Sequence, residues 1–142
     1  MINPTTPGPA PDGRPFGPQH TPYEALGGDE TTRRIVDAFY DHMDADPAFA
    51  TIRALHDESL VAARDKLYMF LSGWLGGPPL YTERFGHPRL RGRHAPFPIG
   101  EVERDQWLAC MAKALDDVGI DGAVRAFLDE RFRHVADFMR NR

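Results

Sequence analysis

The chain has 142 residues, which fits one domain with a modest hydrophobic core. Its net charge is a mild −4, and no stripe of Lys and Arg indicates nucleic-acid binding. No apolar run reaches the roughly 18 residues of a membrane span, the start does not resemble a signal peptide, and the single cysteine, Cys110, cannot form an intrachain disulfide. We therefore expect a cytoplasmic protein without membrane or nucleic-acid partners.

Residues 1–20 are rich in prolines and glycines and contain few apolar side chains. Burial of so few apolar side chains would not offset the loss of conformational entropy when the segment becomes ordered. We predict a flexible extension here, with Phe16 as its candidate for packing. Binding to a partner and a tail without function are the two interpretations of this segment.

The pattern becomes helical from Thr21. Asp29 and Thr31 are candidate caps for a first long helix, which Pro47 ends. A short, partly helical connection follows. The apolar positions of this helix recur at helical spacing and predict its buried face: Ile35, Val36, Phe39, Tyr40 and Met43.

A second long helix is predicted from about Glu58 to Leu75, and the sequence Gly-Gly-Pro-Pro at 76–79 stops it. Residues 80–100 contain further prolines and predict one or two turns within a largely irregular segment. Such a long irregular stretch inside a compact domain is often functional. The irregular segment of residues 80–100 therefore favours an interpretation in which it wraps around a ligand.

A third helix is predicted from about Glu101 to Val118, with a fourth from a cap at Asp121 to about Arg140. Cys110 falls one position off the predicted inward face of the third helix. No stretch alternates as a strand would. The sequence therefore predicts an all-α domain. The inward positions predicted for the two helices are Trp107, Met111, Ala114, Leu115, Val118, Val124, Phe127, Leu128, Val135, Phe138 and Met139.

Residues 87–98 place His94 among three arginines and three prolines. A single imidazole beside several cations suits haem, because iron takes a neutral imidazole nitrogen and the two propionates need positive partners. The alternative is a basic surface loop with a solvated histidine.

Several motifs together resemble the group II truncated haemoglobins, over residues 21 to about 140. The family has a shortened globin fold, with two helix pairs stacked two over two around haem b, and residues 1–20 lie outside its usual pattern. The matching motifs are Phe39-Tyr40, Gly76-Gly77-Pro78, Tyr81, the run from Gly86 to Phe97 with its Arg-His-Ala-Pro-Phe, and the run from Asp105 to Met111 with its Trp-Leu-x-Cys-Met.

The resemblance implies that His94 is the proximal iron ligand, leaving the sixth coordination position for a diatomic ligand. His87 is the rival histidine, and we interpret it as facing solvent or a propionate. On the distal side, the resemblance implies that Tyr40 and Trp107 donate hydrogen bonds to the ligand, with core packing as the alternative.

His56 aligns with a third distal position through a loop of variable length, so that Arg53 or Leu55 would replace it in another register. A surface histidine is the competing interpretation of His56.

The resemblance also implies contacts between the haem and further side chains. Ala63 would leave an opening beside the haem, and Leu67 and Phe70 would pack on the porphyrin. The candidates for the propionates are Lys66, Tyr81, Arg91 and Arg93, although Lys66 also fits a solvated surface lysine. Phe97 and Met111 would line the pocket, with core packing as the equal alternative.

Three functions compete at this stage. The first is a haem protein that binds O2, CO or NO and releases O2 slowly. The second is a haem enzyme acting on peroxide or NO; because the chain has no dinucleotide-binding glycine motif, it would need a separate reductase. The third is an all-α interaction module without a cofactor. Sulfide is a further candidate ligand, and the sequence fits either a monomer or a homodimer.

Overall fold

The computed structural model describes Phe16 and residues 20–142. The flexible extension predicted for residues 1–20 lies mostly outside the described residues. Phe16 is buried, with its ring centroid 5.0 Å from that of Phe127 and 5.1 Å from that of His20. The predicted packing of Phe16 is therefore confirmed.

Every regular element among the described residues is helical, which confirms the predicted all-α class. A 3-10 helix at Pro47–Phe49 precedes the helix at Ala50–Arg53. The helices at Leu80–Phe85 and Leu90–His94 supply the two turns predicted within residues 80–100. No helix in the described part of the chain is long and apolar enough to cross a membrane. The helices are α1 Pro22–Leu26, α2 Gly28–Ala45, α3 Ala50–Arg53, α4 Val61–Trp74, α5 Leu80–Phe85, α6 Leu90–His94, α7 Glu101–Val118 and α8 Gly122–Phe138.

Four long helices form two packed pairs. The helix α2 packs on both α4 and α7, and α7 packs in turn on α8. Their buried faces meet in one continuous hydrophobic core, as amphipathic helices require. The most deeply buried apolar side chains of this core are Val36, Phe39, Met43, Leu71, Cys110, Met111, Ala114, Leu115 and Leu128.

The bounds of α7 and the N-cap position of α8 match the prediction, while the two predicted caps of α2 are wrong. Gly27, with φ 115°, ends α1 and is also the N-cap of α2. The two helices are therefore contiguous, and Asp29 and Thr31 lie inside α2 instead of capping it. Asp121 occupies the N-cap position of α8, but its side chain makes no capping hydrogen bond.

Two predictions about helix faces are also wrong. Cys110 is fully buried, and its thiol donates to the carbonyl of Phe39 at 3.1 Å, because α2 covers the side of α7 that the predicted face left open. Phe138 was expected inside but is 56% exposed at the end of α8, with the guanidinium of Arg91 over its ring.

The two glycines after α4 touch the segment that begins the helical domain. A Cβ added at Gly76, which has φ 97°, would lie 2.7 Å from Thr21, and one at Gly77 would lie 2.6 Å from the ring of Tyr23. The backbone N–H of Tyr23 also donates to the carbonyl of Leu75 at 2.9 Å. Only residues without a side chain allow this approach.

Candidate functional site

A cavity of about 460 Å³ lies among the two helix pairs and the segment that carries α6. This volume is within the range typical of small-molecule and cofactor sites. The predicted site residues that line it are Tyr40, His56, Ala63, Lys66, Leu67, Phe70, His94, Phe97 and Trp107.

His94 is the last residue of α6, and its ring orientation is set by its own helix. Its Nδ1 lies 2.7 Å from the carbonyl oxygen of Leu90. Because a carbonyl can only accept, Nδ1 carries a proton, and in the neutral ring Nε2 is then the nitrogen with the lone pair. This is the tautomer that a metal-ligating histidine requires, with the other nitrogen held by a backbone acceptor. His87, in contrast, is exposed and does not line the cavity.

Tyr40 projects from α2 and is 5% exposed. Burial raises the pKa of its hydroxyl well above the ordinary value, while the nearby Arg64 opposes the rise only partly. The hydroxyl therefore keeps its proton. No hydrogen-bond partner for this hydroxyl is found within residues 20–142 or at Phe16, so it remains a donor beside the cavity.

His56 follows α3, and its ring centroid lies 5.8 Å from that of Tyr40. Burial lowers its pKa, and Arg53 and His94 lower it further, against the opposing effect of the hydrogen bond to Ile52. The ring is therefore neutral at pH 7. Its Nδ1–H donates to the carbonyl of Ile52 at 2.8 Å, so Nε2 is an acceptor and not a donor.

Trp107 forms the α7 wall of the cavity. Its ring packs between Phe39 and Phe132, with centroid distances of 5.3 Å and 5.5 Å. This packing fixes the indole in place, and its N–H is available only as a donor. Trp107 therefore both packs in the core and lines the cavity.

The structure leaves four predicted haem contacts outside this cavity. Tyr81 lines a separate cleft of about 170 Å³, and Met111 is buried in the core. Arg93 donates from Nε to the carbonyl of Pro88 at 2.7 Å, and Arg91 lies over an aromatic ring of α8. Contact between these four side chains and a haem stays a prediction.

Other lining residues were missed by the sequence analysis. The α8 side contributes Val135, Ala136 and Met139: the helical spacing predicted Val135 and Met139 to face inward, but neither their place on the cavity wall nor Ala136 was predicted. Further lining comes from residues in the loops and at the start of α7: Asp57, Ser59, Ile99, Glu103 and Arg104.

The donor set fits haem. Among the described residues, no group of three or more His, Cys, Asp or Glu side chains could hold a metal ion by itself. A porphyrin supplies four nitrogens of its own, so one imidazole such as His94 suffices. Lys66 and Arg104 are the cations on the cavity wall, and Arg104 is already paired at 3.0 Å with Asp105 and with Asp137.

Comparison with known proteins agrees with this assignment. The model of the bacterial-like globin family matches residues 21–141, and the chain belongs to this family. It is 43% identical over 122 residues to the group 2 truncated hemoglobin YjbI of Bacillus subtilis, covering 86% of this chain and 89% of the relative.

Two solved structures extend the comparison. A hemoglobin from Chloroflexus aurantiacus is 48% identical, has a TM-score of 0.79, and is matched over 86% of this chain and 98% of its own. The truncated oxygen-avid haemoglobin from Bacillus subtilis is 43% identical, has a TM-score of 0.79, and is matched over 85% of this chain and 99% of its own.

The resemblance to group II truncated haemoglobins is therefore confirmed, and so is the two-over-two globin fold. Membership of this family implies, in general terms, a haem cofactor and the binding of diatomic gases.

Proposed function

We propose that the protein holds haem b through His94 and binds O2, CO or NO on the opposite side of the iron. The observation that carries this proposal is the hydrogen bond from His94 Nδ1 to the Leu90 carbonyl, which makes Nε2 the ligating nitrogen of the neutral ring in a residue that lines the cavity. Haem supplies a redox-active iron with one free coordination position. The name of the oxygen-avid relative from Bacillus subtilis supports dioxygen as a ligand.

The distal chemistry follows from three side chains. Tyr40 and Trp107 would donate hydrogen bonds to the ligand, which favours O2, a ligand that gains negative charge, over the less polar CO. His56 would accept a hydrogen bond at neutral pH, because its N–H is committed to Ile52. The pocket would thus combine two donors with one acceptor.

The remaining wall would hold the porphyrin itself. Leu67 and Phe70 would pack on its face, and the small Ala63 would leave an entry path for gas. Lys66 is exposed and not engaged in an ion pair within the described residues, so it would be free to reach a propionate. We place the protein in the cytoplasm, where a single unpaired thiol stays reduced.

The test is the visible absorption spectrum after reconstitution with hemin, in the ferric form, then reduced, then under CO. We expect a porphyrin band that shifts at each step, and its loss or alteration in His94→Ala. His87→Ala is the matched control and should leave the spectrum unchanged. If His87→Ala alters the spectrum and His94→Ala does not, the proximal assignment is wrong.

A second activity, with peroxide, is favoured by the neutral His56. An unprotonated Nε2 that lines the cavity would take a proton from hydrogen peroxide, as a general base must. A separate reductase or a small reductant would supply electrons. Steady peroxide turnover that falls at least about tenfold in His56→Phe would support this activity, given the usual contribution of a general base. Equal turnover in both proteins would exclude His56 as the base.

A further inference from the structure

The segment that carries His94 has little regular structure of its own. The helix α6 spans only Leu90–His94, and Arg89 at its start has φ 46°, the one positive φ of a non-glycine residue in the described chain. Helices this short are not stable in isolation. Beyond His94, the prolines at 96 and 98 have no N–H to donate. The position of His94 therefore depends on contacts from elsewhere.

Asn141, just beyond α8, makes those contacts with both ends of its side-chain amide. Its Nδ2 donates to the carbonyl of Phe97 at 2.8 Å and to that of His94 at 3.4 Å. Its Oδ1 accepts from the backbone N–H of Ile99 at 3.0 Å. The partners fix the orientation of the amide, because carbonyls only accept and the N–H only donates.

Backbone hydrogen bonds join the same two parts of the chain. The N–H groups of Asn141 and Arg142 both donate to the carbonyl of Ile99, at 2.8 Å and 3.1 Å. Residues 94–99 are thus bonded at three points to a part of the chain that follows the cavity-lining Val135, Ala136 and Met139.

We infer that Asn141 is a positioning residue for the haem ligand, acting through the backbone of residues 94–99. Two sets of hydrogen bonds together fix the position of the imidazole. The bond from His94 to Leu90 sets the rotation of the ring, and the bonds from Asn141 set the place of the backbone from which the ring projects. The inference rests on the proposed function of His94.

The test compares four variants of the haem-loaded protein. Asn141→Ala removes the whole amide, whereas Asn141→Asp keeps an acceptor for Ile99 but places an oxygen against the Phe97 carbonyl. Arg142→Ala is the matched control, because its side chain bonds only to the Asn141 carbonyl and its backbone N–H remains. Asn141→Gln offers both amide atoms again and tests for rescue.

Two readouts report on His94 without measuring activity. The first is the iron–histidine stretching band in the resonance Raman spectrum of the reduced protein, which we expect to shift or broaden in Asn141→Ala and Asn141→Asp. The second is the rate of hemin transfer to excess apomyoglobin, which we expect to rise at least about tenfold in Asn141→Ala, as the loss of its three side-chain hydrogen bonds implies. Partial recovery is expected in Asn141→Gln.

The outcomes separate the two proposals. If Asn141→Ala matches Arg142→Ala in both readouts, the positioning role is refuted while the haem site stands. If Asn141→Asp behaves like the unmodified protein, the donor bonds to Phe97 and His94 have no role and the inference is wrong. If the unmodified protein takes up no hemin, the proposed function fails and the inference fails with it. Far-UV circular dichroism of each variant checks that the helices remain.

Discussion

The distal pocket predicts a selective loss of O2 retention in Tyr40→Phe. The substitution removes one oxygen atom from a ring that is 5% exposed and packed beside Phe39 and His56. The hydroxyl has no protein partner within the described residues, so its removal breaks no bond within the fold. We therefore expect the free energy of unfolding to change by less than about 1 kcal/mol.

The magnitude follows from the charge on the ligand. A hydrogen bond to a charged group is worth about 1.5–3 kcal/mol, which corresponds to roughly ten- to a hundredfold in dissociation rate. Trp107, which also lines the cavity, would remain as a second donor, so we expect the lower part of this range. For CO, a neutral bond worth about 0.5 kcal/mol changes the rate only about twofold.

The assay is stopped-flow displacement of O2 by CO, with CO dissociation measured separately by displacement with NO. Tyr68→Phe is the matched control, because it removes a tyrosine hydroxyl that bonds to Asp29 on the surface, away from the cavity. An O2 dissociation rate within twofold of the unmodified protein would refute the donor role of Tyr40. Equal changes for O2 and CO would show a steric effect instead.

Three further predictions concern acidity, packing and the thiol. As pH falls through the lowered pKa of His56, its Nε2 gains a proton and becomes a donor, so O2 dissociation should slow at acidic pH, below the ordinary histidine range, and His56→Phe should abolish this dependence in stopped-flow measurements. Leu128→Ala in the closed core should cost about 2–5 kcal/mol in urea unfolding, whereas Val61→Ala at an exposed site should cost under about 0.5 kcal/mol. Burial raises the pKa of Cys110 to about 12, so a thiol reagent at pH 8 should label it in urea but not in the native protein; rapid native labelling would contradict its burial.

Much of the fold follows from local signals in the sequence. The bounds of α7 could be predicted because a glycine ends it and its apolar spacing is regular. The start of α4 could not be predicted, since the side chain of Arg53 donates to the carbonyls of Asp57 and Glu58 and holds them outside the helix. Such bonds from a side chain to the backbone leave no trace in a helical pattern.

The site divides in the same way. The resemblance to a family indicated His94 as the proposed ligand, and the structure adds the hydrogen bond that orients its ring. The resemblance also indicated a distal place for His56, but not that its Nε2 is an acceptor, because the tautomer depends on the carbonyl of Ile52, which the folded chain brings near. Asn141 was missed for a similar reason, since its partners at 94–99 are distant in sequence.

The contact between Gly77 and Tyr23 has a consequence for how this sequence can change over time. A glycine pair before two prolines looks like a simple helix stop, which many residues could replace. Here the ring of Tyr23 occupies the space of a side chain at 77, and Thr21 does so at 76. A side chain at 77 is therefore tolerated only together with a smaller residue at 23, so that these two positions must coevolve, whereas at 76 the positive φ disfavours a side chain even when position 21 is small.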